Sequence, residues 1–218
     1  MKASRVLSLI LSLIFLCSCS ASLQEYYYSL ENFKTSKYYK YENITDPSQT
    51  QYWKISANVE QNELVTEAFN SEKIQFEYFK EKFDDSGSKL IEYSPINSGI
   101  KTKTVAIHRD VFLWTQKESY QYEVEYSDSN GSTTFTKERK FKGLETITCM
   151  GMELEVAKFR GDYTFFNHKY NEEITFWQES FYAKKYGFVK YERHLPNGSV
   201  SILELTEILT EEEWSDLR

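Results

Sequence analysis

From Tyr120 to Tyr126 every second residue is aromatic or aliphatic: Tyr120, Tyr122, Val124 and Tyr126 alternate with Gln121, Glu123 and Glu125. A period of two fits an extended strand with one face in a core and one in water, not a helix. The same alternation recurs at Met152, Leu154 and Val156 against Glu153 and Glu155. It predicts further strands over residues 36–43, 51–58, 89–94, 102–107, 111–117, 133–142 and 174–183. Residues 62–69 and 73–83 also fit strands, but their Glu, Lys and Phe spacing fits a helix as well, and both assignments stand. Asn130 and Gly131 mark one turn. Residues 188–195 and 200–208 flank Pro196, Asn197 and Gly198 as a second hairpin. At the end, Thr210 with Glu213 has the spacing of a capping box opening a short helix over 210–217. The expected fold is all-β with minor α, a single curved antiparallel sheet that must bury one face on a second sheet, a helix or a ligand.

The first residues follow a different logic. Lys2 and Arg5 precede eleven residues, 6–16, that are apolar apart from Ser8 and Ser12. That length suits the core of an export signal and falls short of the roughly 20 residues a membrane span needs. Leu16, Cys17, Ser18 and Cys19 resemble the bacterial lipobox, an aliphatic residue and a small one set before a cysteine. The thiolate of Cys19 would take the lipid as a thioether. Cys17 is the rival, with bulky Leu16 before it, and an ordinary signal cut near Ser20, Ala21 and Ser22 is the alternative reading. The expected organisation is a signal peptide over 1–18, a lipidated N-terminus and tether over 19–33, and one β-rich domain over 34–218. Acyl chains contribute about 0.8 kcal/mol per buried methylene, so such an anchor is effectively permanent. Ser20 after the cysteine, by the enterobacterial sorting rule, favours the outer membrane.

Removing residues 1–18 takes away two positive charges and moves the formal charge from −7 to −9. An acidic chain without a basic cluster argues against nucleic acid as a partner. With Cys19 lipidated, Cys149 has no partner for a disulfide and reads as a small buried apolar residue. His108, His168 and His194 lie far apart, without metal-ligand spacing. The chain has no Gly-rich phosphate loop, no nucleophile elbow and no CxxC pair. The expectation is therefore no enzyme, no metal and no cofactor.

The stretch from Leu144 to Thr148, then Gly151 to Glu153, Val156 to Phe159 and Phe181 to Lys190, is similar to a loose group of uncharacterised bacterial lipoproteins. Tyr27 to Leu30 and Tyr39 to Glu42 resemble that group's opening strand. The resemblance implies a LolA/LolB-like half-barrel whose concave face can hold acyl chains. It names no ligand residue. In that motif Gly187 is expected to permit a bend or bulge.

Aromatic residues make up 17% of the chain, which leaves two readings: core packing, or an apolar cavity lined by residues such as Trp114, Tyr122, Val124 and Trp177. Two functions follow. One is an envelope lipoprotein that binds or carries a lipid or other apolar ligand. The other is a structural lipoprotein that docks a protein partner of the envelope.

Overall fold

The computed structural model describes residues 22–128 and 131–217. The export segment, Cys19 and Asn130 lie outside the described residues. The strands are β1 (Lys37–Asn43), β2 (Gln51–Asn58), β3 (Glu63–Phe69), β4 (Gln75–Asp84), β5 (Gly87–Asn97), β6 (Ile100–Lys101) and β7 (Thr104–Leu113). They continue as β8 (Tyr120–Asp128), β9 (Gly131–Cys149), β10 (Met152–Asn167), β11 (Glu172–Ala183), β12 (Gly187–His194) and β13 (Val200–Leu209), followed by the helix α1 (Glu211–Asp216). All but β6 form one antiparallel ring, in chain order. β13 pairs with β1, β5 pairs with both β4 and β7, and β6 hangs on β5 as a short excursion.

The expected half-barrel is therefore a closed barrel. Chain-order pairing brings every strand beside its neighbour, and the β1–β13 ladder joins the two ends, leaving no open edge in the ring. Residues 62–83 are two strands, β3 and β4. The turn between them is held by Asn70, whose side-chain oxygen accepts from the Glu72 and Ile74 amides. The two short strands predicted over 102–117 are the single strand β7. β9 and β10 run well past their predicted ends, and their ladder contains a bulge where Gly143, at φ 136°, pairs with Lys158. The capping box is present: Thr210 Oγ1 accepts from the Glu213 amide, and the Glu213 carboxylate accepts from the Thr210 amide. Trp214 of this helix stacks on Tyr38 and packs on Tyr52 and Phe69, covering the outer wall of β1 to β3.

Residues 22–33, predicted as tether, pack into the core. Two 3-10 turns, Gln24–Tyr26 and Leu30–Phe33, fold this segment across one end of the barrel. Leu23, Tyr26, Tyr27, Tyr28 and Phe33 are all buried there. The Leu23 amide donates to the Trp114 carbonyl, and the Tyr27 ring lies 4.4 Å from that of Phe112. Gly187 (φ 72°) makes room for this plug, since a Cβ there would meet the Tyr28 ring at 2.3 Å. A ring of twelve strands is wider than aliphatic side chains can fill, which gives the aromatic content a structural use. Phe112, Phe159, Tyr182 and Phe188 complete the packing of the plugged half.

Candidate functional site: the barrel lumen

Beyond the plug the packing opens into a lumenal cavity of about 270 Å³. At its inner end Glu81, Arg139 and Tyr182 are fully buried. Toward the opposite rim Gln51, Phe76, Glu77, Phe165, Phe176 and Arg193 are only half-buried, so the cavity opens away from the plug. Its apolar walls are Phe79, Tyr93, Tyr122, Phe135, Tyr163, Phe165 and Phe176. Phe135 stacks on Phe165 at 4.5 Å, and Tyr163 on Phe176 at 4.6 Å. A larger depression of about 850 Å³ lies outside the plug, between Glu25, Glu31, Asp84 and Asp85, and is open to solvent.

Five charged side chains share the lumen with these rings: Glu77 and Glu81 from β4, Lys137 and Arg139 from β9, and Arg193 from β12. Strand alternation puts them there. Glu77, Phe79 and Glu81 sit on one face of β4, and Phe135, Lys137, Arg139 and Phe141 on one face of β9.

Each charge has distinct surroundings. Glu81 Oε1 accepts from the Tyr27 hydroxyl and the Ser88 hydroxyl, both at 2.6 Å. Burial still lifts its carboxyl to about 7, against the pull of those donors and of Arg139. The Glu77 carboxyl is also raised by burial, opposed by Lys137 and Arg193. Arg139 donates to the Val111 carbonyl at 2.9 Å and to the Tyr182 hydroxyl. Arg193 Nε donates to Gln178 Oε1 at 3.0 Å, and its guanidinium lies over the Tyr191 and Phe176 rings. Lys137 differs from the others. It is half-buried, its ammonium lies 4.7 Å from the centre of the Tyr163 ring and 5.8 Å from that of Tyr122, and it makes no hydrogen bond or ion pair among the described residues. Burial first, then Arg139 and Arg193, push its pKa well down.

The chain matches no family model and no curated protein. Solved structures do resemble it. A protein described as exported, with a YmcC-like fold, from Bacteroides fragilis NCTC 9343 superposes with a TM-score of 0.55 at 11% identity, covering 80% of this chain and 95% of that one. A protein described as a lipoprotein, from Parabacteroides distasonis ATCC 8503, gives 0.54 at 11% identity with the same coverage. The barrel has a YmcC-like fold. The hypothetical lipoprotein YmcC of Escherichia coli K12 also aligns, at 11% identity over 84% of this chain and 90% of that one, with a TM-score of 0.41.

In this YmcC-like barrel the four residues predicted to line a cavity are dispersed. Tyr122 lines the lumen, and Val124 is buried in the wall cluster beside it. Trp114 belongs to the plugged end, where its indole N–H donates to the Asp84 carbonyl. Trp177 points outward, between Phe176 and Gln178 on the lumenal face, and stacks on His194 at 3.5 Å and under Arg160 at 3.7 Å. The charged lumenal residues were missed, although β9 carries a signal for two of them. Phe135 and Phe141 fix the inward phase of that strand, and Lys137 and Arg139 share it. Cys149 is buried and donates to the Leu205 carbonyl, and burial pushes its thiol up to about 11. Among the described residues, no three His, Cys, Asp or Glu side chains are grouped to hold a metal. No described helix is long and apolar enough to cross a membrane.

Proposed function

We propose that this protein is an envelope lipoprotein whose barrel binds one small, mainly apolar molecule in its lumen. The observation that supports it is the aromatic cavity, closed at one end by the plug and open at the other. A volume of about 270 Å³ equals that of about nine water molecules. It suits a ligand of one or two rings or a short chain. A whole phospholipid is too large, so the lipid-carrier reading narrows to smaller cargo. Lipidation of Cys19 would place the plugged end at the membrane. Ser22 lies at that end, with its hydroxyl against the Trp114 carbonyl, and three residues span only about 10 Å. The mouth of the lumen then faces away from the bilayer.

Native mass spectrometry of the chain from Ser20, purified without detergent, tests the binding reading. The expected result is a single small adduct, removable by organic extraction, or uptake of one neutral N-phenyl-1-naphthylamine per chain. A bare mass together with no dye uptake refutes it, and an adduct of phospholipid mass refutes the size argument.

A further inference from the structure

We propose that the ligand is an anion, a flat apolar body with one carboxylate or equivalent acidic group, and that Lys137 with Arg193 holds that group while the ring walls hold the body. The inference rests on the lumen being a ligand site. Three basic and two acidic side chains line it. At the inner end Glu81 accepts from Tyr27 and Ser88, and Arg139 donates to Val111 and Tyr182 while its buried Nε has no partner among the described residues. That leaves Lys137, Arg193 and Glu77 toward the mouth, two cations against one acid. Arg193 spends one donor on Gln178, and its remaining donors are in reach of a ligand. The half-buried Lys137 ammonium has aromatic faces around it and no acceptor among the described residues, so its donors are open to a ligand. An acidic group entering beside it supplies the missing partner, and Phe79, Phe135, Phe165 and Phe176 supply flat contact for a ring.

The depressed pKa of Lys137 adds a signature. An anion beside the ammonium raises that pKa again, so binding should draw in protons over the range where the lysine of the empty protein titrates. Glu77 and Glu81 face the same space and oppose the anion, so affinity should rise as they are protonated below neutral pH.

Calorimetry with naphthalene-2-carboxylate and with its neutral amide, equal in shape, provides the test. At pH 7 the carboxylate should bind at least tenfold more tightly. Lys137→Met should remove that preference, and Arg193→Gln should reduce it. Equal binding of the two compounds by the unaltered protein overturns the anion proposal and leaves the binding barrel standing. Binding of neither compound, with N-phenyl-1-naphthylamine also excluded, overturns both.

Discussion

Replacing Glu81 by glutamine should change how stability depends on pH more than it changes stability itself. Glu81 is 2% exposed, and its Oε1 takes two short hydrogen bonds, from Tyr27 and Ser88. A glutamine carbonyl can accept both. Its amide nitrogen then stands where the protonated carboxyl carries its hydrogen, so Glu81→Gln imitates the neutral acid. Folding raises the carboxyl from the usual 4.5 to about 7 because burial disfavours the charge. A raised folded value means that the native state binds the proton more tightly than the unfolded chain does. The stabilisation is therefore fully present below about 4.5 and is lost as the pH climbs to about 7. Across that interval the linkage amounts to about 3 kcal/mol. Glu77 and the other acids titrate in both proteins and cancel in the difference. Urea unfolding of the chain from Ser20 at pH 4.5, 6 and 8 should show Glu81→Gln gaining about 3 kcal/mol on the parent between the ends of the series. A constant gap across the series would mean that Glu81 titrates normally, and the burial argument for the inner end of the lumen would fail.

Lys137→Met should stabilise the empty protein at pH 7. Replacing a half-buried, unpaired cation among aromatic rings with an apolar side chain is worth about 1 kcal/mol, or about 2–4 °C in Tm for a chain of this size, read by scanning calorimetry. A fall in Tm would show that the ammonium is well paired. Gly187→Ala puts a methyl group into the Tyr28 ring at a positive φ and should cost about 2–4 kcal/mol in urea unfolding. No loss there would mean that the plug is not seated against β12. Cys19→Ser should move the protein from the membrane fraction to the soluble fraction of cells, and unchanged fractionation would remove the lipid anchor from the proposal.

Much of the fold is legible in the period-two pattern because each strand has one face inside and one outside. β1, β2, β8, β12 and β13 are predicted within three residues of their ends, and the turn residues and the capping box mark their own positions. The errors share a cause, which is loss of phase. In β4 aromatic residues occupy both faces, with Tyr78 outward and Phe79 and Phe83 inward, and a bulge at Phe76 shifts the phase, so no period stands out. In β9 Lys137, Glu138, Arg139 and Lys140 are charged on both faces, and the lumenal pair Lys137 and Arg139 is hidden among charged neighbours that point outward. Tyr26, Tyr27 and Tyr28 are buried in succession because a plug is surrounded on all sides and need not alternate. Ring closure depends on β1 meeting β13, some 160 residues apart, which no local pattern encodes.

The two halves of the barrel solve the same packing problem differently, and the contrast bears on function. In the plugged half, rings from the wall and from residues 22–33 interlock until the interior is full. In the other half the same strands present Glu77, Lys137 and Arg193, and a void remains. A void forfeits dispersion contacts, and charges partly withdrawn from water forfeit hydration, so both features oppose folding. A sequence shaped by stability alone would have carried the aromatic filling up to the rim. Concentrating both costs at one place is how binding sites differ from cores. If that is the origin of the open half, stability and binding must trade against each other at the same residue. Lys137→Met should then raise Tm and weaken naphthalene-2-carboxylate binding together. A variant that lost stability without losing the carboxylate preference would show Lys137 to be part of the barrel's framework rather than of its site.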